Sequence, residues 1–217
     1  MRIDIFLDTV CPWCFIGKRR LERALQERPQ ADLTVRWRAF QLNPDMPREG
    51  MDRQRYLETK FGGRENAQAV YEPIIAAGQS EGIDFNISEI RRTPNTLRSH
   101  RLIHFADSNG KADPVVEALF RCYFLEGRDI GALEVLSEVA GDNDLDLQDA
   151  LAAVDRKADE ADPVLVEDVQ ARQAGINGVP CFIFNGRYAL PGAHTPEIFF
   201  QIFDLLREEE AKEAASA

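Results

Sequence analysis

The sequence of 217 residues predicts an α/β fold in which a block of helices interrupts a domain built from strands and helices. Residues 1–45 show the pattern of a strand, a helix and a second strand, whereas the C-terminal part ends in two strands and a helix. Between these parts, helical patterns follow one another with polar or glycine-rich joints. A chain of this length can bury a substantial core.

The N-terminal unit begins with the apolar, β-prone segment Ile3–Leu7. Pro12 suits the first turn of a helix. Proline has no backbone N–H group, and an N–H group at this position would have no partner within the helix. Beyond Cys14, small and apolar residues recur at helical spacing, with charged residues on the other face. A second β-prone segment, Leu33–Leu42, stops at the sequence NPDMPREG. These elements predict a βαβ unit.

The middle of the chain, residues 46–161, predicts a small helical bundle with short connections. The predicted helices are Arg53–Phe61, Glu65–Glu81, Pro94–Asp107, Pro114–Glu126, Ala132–Ala140 and Leu147–Asp155. No internal repeat or low-complexity block precedes the final EEEAKEAASA, which we expect to be the frayed end of a helix.

The C-terminal unit begins with a predicted helix at Pro163–Ala174 and a buried strand at Cys181–Phe184. The Asn-Gly pair that follows is a strong two-residue hairpin signal, so Arg187–Leu190 is predicted to be the returning strand. Thr195, followed at once by proline, can begin a last helix with an apolar face. These elements predict a ββα unit.

The net charge of −11 argues against unaided binding to nucleic acid or to an anionic membrane, because both require a positive protein surface. No run of about 18 apolar residues is present, which excludes a transmembrane helix. The N-terminal sequence MRIDIFLDTVCPWC lacks the cleavage pattern of a signal peptide. We therefore expect a cytoplasmic protein, a location in which structural disulfides are rare.

The sequence CPWC places two thiols at the predicted start of the first helix. Free N–H groups and the positive end of the helix stabilise a thiolate at Cys11. The spacing brings the two sulfurs within disulfide reach. We predict that Cys11 attacks a substrate disulfide and that Cys14 resolves the mixed disulfide. Cys14 shares its helical face with Leu21 and Leu25, so it should be the buried partner.

A metal site is the first alternative for this pair, but it needs two more ligands at a compatible spacing. Cys122 and Cys181 are isolated, no second CxxC is present, and the sequence contains only three histidines. An accidental pair of packed cysteines is the second alternative. The position at a helix start favours redox chemistry over both.

Five segments of the chain carry a resemblance to a known family. In chain order they are DTVCPWCFIGK, WRAFQLNPDMPREG, NTLRSHRL, FRCYFLEGRDI and GINGVPCFIFNGRYALPGA. Together they resemble the DsbA-like thioredoxin superfamily, and within it the FrnE subfamily of thiol–disulfide oxidoreductases. The resemblance covers nearly the full chain. It implies a thioredoxin-like domain, residues 1–45 and 162–217, split by an inserted all-helical domain, residues 46–161.

The same resemblance implies which residues contact a substrate. Pro180 is expected to be a cis-proline that faces the dithiol, and Val179 to offer backbone groups to a bound thiol or peptide. Pro12 and Trp13 complete the expected substrate-binding set. An exposed tryptophan between two cysteines suits peptide contact, although a purely structural role for Trp13 is an equal alternative.

The resemblance also predicts the direction of the reaction. Trp13 stands where DsbA-type oxidants commonly have histidine, so the Cys11 thiolate lacks a cationic donor and the pair should be a weaker oxidant. A disulfide reductase or isomerase role follows, with protein disulfides or small-molecule disulfides as substrates. No metal or organic cofactor is required, and glutathione or another dithiol can act as co-substrate. The sequence does not specify an oligomeric state.

Two other classes of function compete with this prediction. Kappa-type glutathione transferases and 2-hydroxychromene-2-carboxylate isomerases look similar in domain layout, but they generally carry serine at the position of Cys11 and need no resolving cysteine. The intact pair of Cys11 and Cys14 argues against them. A binding or chaperone role, with a groove between the two predicted domains, is the third class.

The remaining candidates have simpler interpretations. Cys122 and Cys181 lie in apolar segments and are predicted to pack in the core, with an additional reactive thiol as the alternative. His100 and His104 have an i, i+4 spacing that can chelate a metal. No acidic residue lies at a position that would indicate a third ligand, which favours a structural or surface role for both histidines. His194 precedes a helix start and is expected to be exposed.

Overall fold

The computed structural model describes residues 1–157, 159 and 161–215. Within this part of the chain, the strands are β1 Arg2–Leu7, β2 Thr34–Ala39, β3 Met51–Asp52, β4 Arg92–Thr93, β5 Cys181–Phe184 and β6 Tyr188–Pro191. The helices are α1 Pro12–Glu27, α2 Arg53–Phe61, α3 Arg64–Ser80, α4 Leu97–Ser108, α5 Ala112–Phe124, α6 Leu133–Asp142, α7 Leu147–Val154, α8 Pro163–Gln173 and α9 Pro196–Ala215.

The main sheet has four strands in the order β2-β1-β5-β6. β1 runs parallel to β2 and antiparallel to β5, and β6 returns antiparallel to β5. In this register Ile5 lies between Trp37 and Phe182. Helix α1 connects the parallel pair, as a crossover connection requires. The predicted βαβ and ββα units therefore join into one mixed sheet, and the thioredoxin-like α/β fold is confirmed.

Aromatic rings pack in the core on two sides of α1. On the sheet, the Phe182 ring meets the Phe199 ring of α9 edge to face, with 5.1 Å between centroids. On the other side, the Phe15 ring of α1 stacks on the Phe120 ring of α5 at 5.1 Å. These rings are fully buried. Because α1 packs against both α9 and α5, the position of its N-terminus is fixed, and that end carries the two cysteines.

The second strand is shorter than predicted. β2 ends at Ala39, not at Leu42: the Phe40 N–H group still donates to the Leu7 carbonyl at 3.0 Å, but the backbone groups of Gln41 bond to side chains of α8. The N–H group of Gln41 donates to Asp168 Oδ1 at 2.7 Å, and Arg172 donates to the Gln41 carbonyl. The chain thus leaves the sheet early and turns across the end of β1.

The small antiparallel sheet of β3 and β4, whose strands are separated in the chain by α2 and α3, was not predicted, because strands of two residues show no alternation of apolar and polar positions. Helix α4 begins at Leu97 and not at Pro94. β4 leads directly into Pro94, and a proline disfavours the helical conformation at the residue before it. The Asn95 side chain accepts a hydrogen bond from the Leu97 N–H group at 2.9 Å, which starts the helix there.

The other predicted helices are present with shifts of a few residues at their ends. Helix α9 continues to Ala215, so most of the acidic tail is helical, and the last two residues lie outside the described part. The division into domains at residues 45/46 and 161/162 stays a prediction. In the described residues, no helix combines the length and the apolar character needed to cross a membrane.

Candidate active site

The CPWC segment forms the turn between β1 and α1. Cys11 is the residue before the first helical position, with extended backbone angles (φ −93°, ψ 111°), and Pro12 begins the helix. The Cys11 N–H group donates to the Asp8 carbonyl at 3.0 Å, and the Cys14 N–H group donates to the Cys11 carbonyl at 3.0 Å. Cys11 therefore lies at the open, positive end of the helix, where anions are stabilised.

The two thiols differ in their surroundings. Both are free thiols, with only 4% of Cys11 and 2% of Cys14 exposed. Burial raises the pKa of the Cys14 thiol well above its usual value, and the neighbouring Cys11 raises it further, although a hydrogen bond from the Asp8 backbone opposes this shift. Both thiols are thus buried, and the raised pKa keeps Cys14 in its protonated form.

The loop before β5 lies directly opposite the dithiol. The Val179–Pro180 peptide bond is cis, as the resemblance implies, and the Cys11 Sγ donates to the Val179 carbonyl at 3.5 Å. Pro180 is buried against α1, where its ring lies over Gly17. The structure therefore brings Cys11, Cys14, Val179 and Pro180 together at one end of the sheet.

The two residues between the cysteines are the more exposed part of the turn. Pro12 is half-buried, and Trp13 is 36% exposed. Leu42 is exposed to the same extent, and its N–H group donates to Asp8 Oδ2 at 2.7 Å, which places it at the same end of β1. Exposed large apolar side chains thus border the dithiol, which suits contact with a peptide.

Two buried polar residues lie beside the dithiol: Asp8, which the sequence analysis did not consider, and His100, for which it favoured a structural or surface role. Asp8 is fully buried below the CPWC turn, and its Oδ1 lies 3.4 Å from Nε2 of the buried His100. No local signal connects residues 92 positions apart in the chain. The i, i+4 relation to His104 was misleading, because His104 is exposed whereas His100 points inward.

Two further cysteines and one histidine were candidates, and one of them, Cys181, directly follows Pro180 in the chain. Cys122 and Cys181 are buried in the core, and burial raises the pKa of both thiols. His194, which was expected to be exposed, is partly exposed, with its Nε2 2.8 Å from the Pro191 carbonyl. Within the described residues, no group of three or more His, Cys, Asp or Glu side chains could hold a metal ion.

Comparison with known proteins identifies the family. A family model of the DSBA-like thioredoxin domain matches residues 2–203. The chain belongs to the DSBA-like thioredoxin domain family. Among solved structures, the "probable DsbA oxidoreductase" of Streptomyces coelicolor is 32% identical in sequence and superposes with a TM-score of 0.84, over 93% of this chain and 88% of that one.

More distant members of the DSBA-like fold differ in their named activity. A 2-hydroxychromene-2-carboxylate isomerase is 16% identical, with a TM-score of 0.71 over 100% of both chains. The cytosolic disulfide reductase DsbM from Pseudomonas aeruginosa, solved with GSH, is 18% identical, with a TM-score of 0.60 over 88% of this chain and 89% of that one. At these identities the likeness shows the fold alone.

Proposed function

We propose that this DSBA-like protein is a thiol–disulfide oxidoreductase of the FrnE-like type, which reduces or isomerises disulfides of proteins or small molecules in the cytoplasm. One observation carries the proposal: Cys11 lies at the N-terminus of α1 opposite the Val179 carbonyl, and the buried thiol of Cys14 lies behind it. Disulfide exchange requires a nucleophilic thiol and a second thiol that can then displace the bound substrate.

The reaction has two steps. The Cys11 thiolate attacks one sulfur of the substrate disulfide, which forms a mixed disulfide and releases the first substrate thiol. Cys14 then loses its proton and attacks the Cys11 sulfur, which closes the Cys11–Cys14 disulfide and releases the second thiol. The dithiol supplies two electrons in total. Two molecules of glutathione, or one molecule of a dithiol, return two electrons, restore the reduced pair and are released as a disulfide.

The substrate is held by the residues around the turn. The loop of Val179 and Pro180 presents its backbone beside Cys11, while Pro12 and Trp13 form the outer side. An exposed indole ring offers a broad apolar surface to the residues next to a substrate disulfide. These contacts favour peptide disulfides without selecting a particular sequence.

The direction of electron flow follows from what surrounds Cys11. Trp13 supplies no charge, and within the described residues no ion pair or hydrogen bond joins a cationic side chain to the Cys11 sulfur. The helix N-terminus stabilises the thiolate without help from a cationic side chain, so the pair should donate electrons more readily than a dithiol that has such a partner. Reduction or isomerisation follows, not the formation of new disulfides.

A glutathione transferase or isomerase is the competing function, and the fold shared with 2-hydroxychromene-2-carboxylate isomerase favours it. That chemistry needs one group that activates the glutathione thiol, and Cys14 has no role in it. The two functions differ in their dependence on Cys14, since disulfide turnover requires the resolving thiol and conjugation does not.

Insulin reduction by dithiothreitol tests the proposal. We expect the wild type to accelerate precipitation of the insulin chains, Cys11→Ser to be inactive, and Cys14→Ser to lose turnover while it retains substrates as mixed disulfides. Cys122→Ser is the matched control and should keep full activity, because this thiol is buried in another part of the fold. Inactivity of the wild type, together with glutathione conjugation that survives in Cys14→Ser, would replace this proposal with the transferase.

A further inference from the structure

The loop that follows β6 lies beside Val179 and Pro180. It consists of residues 192–195, which join β6 to α9, and we call it the β6–α9 loop. Because β6 runs antiparallel to β5, this loop lies at the same end of the sheet as the residues that precede β5. The Gly192 N–H group donates to the Pro180 carbonyl at 2.7 Å. Proline has no N–H group, so this carbonyl is the one backbone group by which residue 180 can be held.

Arg20 of α1 joins the β6–α9 loop to the predicted helical domain. Its Nη1 donates to the Ala193 carbonyl at 2.6 Å, and its Nε donates to Glu81 Oε1 at 2.8 Å. Glu81 directly follows α3. Only 14% of the Arg20 side chain and 5% of the Glu81 side chain are exposed. One largely buried guanidinium group thus binds two separate parts of the chain.

Three hydrogen bonds therefore connect the helical domain to the surroundings of the dithiol. Two are those of Arg20, and the third runs from Gly192 to the Pro180 carbonyl. The residue before this proline is Val179, whose carbonyl lies 3.5 Å from Cys11 Sγ. A change at the far end of this series can therefore alter the backbone that faces the nucleophile.

The chemistry of Arg20 suits the fixing of a position. A buried ion pair is often no more stabilising than apolar residues of the same size, so stability alone does not explain it. Arginine carries several N–H donors in one rigid plane and can bind two partners in a set geometry. Its carboxylate partner is itself held, because Arg23 Nη1 lies 3.0 Å from Glu81 Oε2.

We propose that Arg20, held by Glu81, is a positioning residue that fixes the β6–α9 loop and thereby the backbone of Val179 and Pro180, beside which a peptide disulfide binds. The inference rests on the proposed oxidoreductase function and deepens it. It gives the predicted helical domain control over the affinity for peptide substrates. The exchange of sulfur bonds stays with Cys11, so the loss of Arg20 should weaken substrate binding and leave the chemical steps little changed.

Reduction of fluorescently labelled insulin by dithiothreitol, measured over a series of insulin concentrations, separates substrate binding from chemistry. Arg20→Met keeps an unbranched side chain but removes both hydrogen bonds. We expect its KM for insulin to rise about tenfold, which corresponds to the loss of one hydrogen bond from a charged donor. The kcat should change little, because the lost contact affects ground state and transition state alike.

Arg20→Lys distinguishes a positioning role from a purely stabilising one. Lysine keeps a positive charge beside Glu81, so the midpoint of urea unfolding should stay close to that of the wild type. Its ammonium group lacks the rigid plane of donors that binds two partners at once. The KM for insulin should therefore rise as it does in Arg20→Met. A side chain that served stability alone would be replaced by lysine without loss of function.

Arg23→Met is the matched control, because it removes the same charge and a contact with the same Glu81 carboxylate. The Arg23 side chain is 44% exposed, and within the described residues no hydrogen bond or ion pair joins it to the β6–α9 loop. Its KM for insulin should change little, since exposed ion pairs contribute little.

A small disulfide gives the second control. Dithiobis-nitrobenzoate has no peptide chain on either side of its sulfur atoms, so it should not depend on the backbone of Val179. Its rate of reaction with reduced Arg20→Met should stay within about threefold of the wild-type rate, because a removed binding contact does not slow the sulfur chemistry.

Glu81→Ala tests the end of the series that lies in the helical domain. Without its carboxylate partner Arg20 is free to leave the Ala193 carbonyl, so the KM for insulin should rise. The double variant Arg20→Met/Glu81→Ala should have a KM no higher than the worse single variant, because the two residues act through the same contacts. Additive effects would show that the two side chains act independently and would contradict the inference.

The inference is overturned if Arg20→Met has the wild-type KM for insulin, if Arg20→Lys restores that KM, or if the small disulfide reacts as slowly as insulin. Each result leaves the oxidoreductase function intact, because the variants still reduce disulfides through Cys11. The proposed function fails differently, and the inference with it, if the wild type does not accelerate insulin reduction or if Cys11→Ser remains active. If Arg20→Met does not fold, as circular dichroism would show, Arg20→Lys decides alone.

Discussion

Gly17 shows how a single residue controls the site. It lies in the interior of α1, where a Cβ atom would come 3.0 Å from Cγ of Pro180 and 3.2 Å from Cζ of Phe182. Both neighbours are ring atoms in the packed core. The helix therefore approaches the proline loop as closely as it does because residue 17 has no side chain, and this approach sets the position of the loop opposite the dithiol.

Gly17→Ala should lower the free energy of unfolding by about 1 kcal/mol and reduce disulfide turnover. Overpacking typically costs about 1–3 kcal/mol, which exceeds the gain of about 0.5–1 kcal/mol from removing a helical glycine. Gly141→Ala in α6 is the control, because its nearest neighbour would be Leu147 Cδ2 at 3.6 Å, an ordinary contact. Urea unfolding should show that Gly17→Ala lowers the free energy of unfolding and that Gly141→Ala raises it. A change of the same sign in both variants would contradict this packing argument.

The four cysteines should differ in their rate of alkylation. Burial raises the pKa of Cys14, Cys122 and Cys181, so little of each is thiolate near neutral pH. Cys11, at the N-terminus of α1, should be labelled first when the reduced native protein is treated with iodoacetamide at pH 7. Peptide mass spectrometry over time gives the order. Early labelling of Cys181 would show that the core around β5 is open.

At the scale of elements, α4 connects the dithiol end of the sheet to the start of α8. Arg101 of α4 is buried and donates to Asp162 Oδ2 at 2.9 Å. It also donates to the carbonyl groups of Val154 and Arg156. Asp162 in turn accepts a hydrogen bond from the Val164 N–H group and thereby caps α8. One arginine thus ties three segments together.

Arg101→Met should lower the free energy of unfolding by about 3 kcal/mol or more, because it leaves the buried Asp162 carboxylate without its counter-charge. Arg121→Met in α5 is the control, since this side chain is exposed and its loss should change stability by less than about 0.5 kcal/mol. Urea unfolding at pH 7 measures both. A small effect of Arg101→Met would mean that the segments are held mainly by apolar packing.

A cluster of charges joins α1 to α5. Lys18 is buried, and its Nζ lies 3.4 Å from Glu117 Oε2, while Arg19 donates to the same carboxylate at 2.9 Å. Burial raises the pKa of Glu117, but the hydrogen bond from Arg19 and the charge of Lys18 outweigh it, so the pKa is lowered overall. The carboxylate therefore stabilises the folded state only while it is ionised.

The contribution of the Glu117 carboxylate to the stability of the folded state should disappear in acid. A carboxyl group with a lowered pKa in the folded state stabilises the protein above its unfolded-state pKa of about 4.3 and loses this effect as the pH falls through the folded-state value. Glu117→Gln should therefore be less stable than the wild type at pH 7 and nearly equal to it in strong acid. Glu134→Gln, on an exposed residue, should show little difference throughout. A deficit independent of pH would contradict the electrostatic explanation.

The elements that sequence could predict are those with a strong local signal. Pro12 marked the start of α1, and the Asn-Gly pair before Arg187 marked the turn between β5 and β6. The pairing of β3 with β4 and the early end of β2 could not be predicted. Both depend on partners distant in the chain, such as the contact of Gln41 with Asp168.

At the scale of the whole molecule, the site is assembled from three separate parts of the chain. Cys11 and Cys14 were recognisable from their spacing and from the helix that follows. The positions of Val179 and Pro180 came from the family resemblance, because a Val-Pro pair alone does not specify its neighbours. The closeness of Asp8 to His100 could not be predicted, although His100 was a candidate, because only the folded chain brings these two segments together.

The central claim is that Cys11 and Cys14 form a reducing redox couple. Equilibration of the purified protein in glutathione buffers, followed by mass spectrometry of acid-quenched samples, measures this directly. We predict one disulfide, between Cys11 and Cys14, that titrates as a two-electron couple with a potential well below that of strong periplasmic oxidants, about −120 mV. A potential near that value would contradict the reductive direction, and the absence of a Cys11–Cys14 disulfide at every glutathione ratio would contradict the redox function itself.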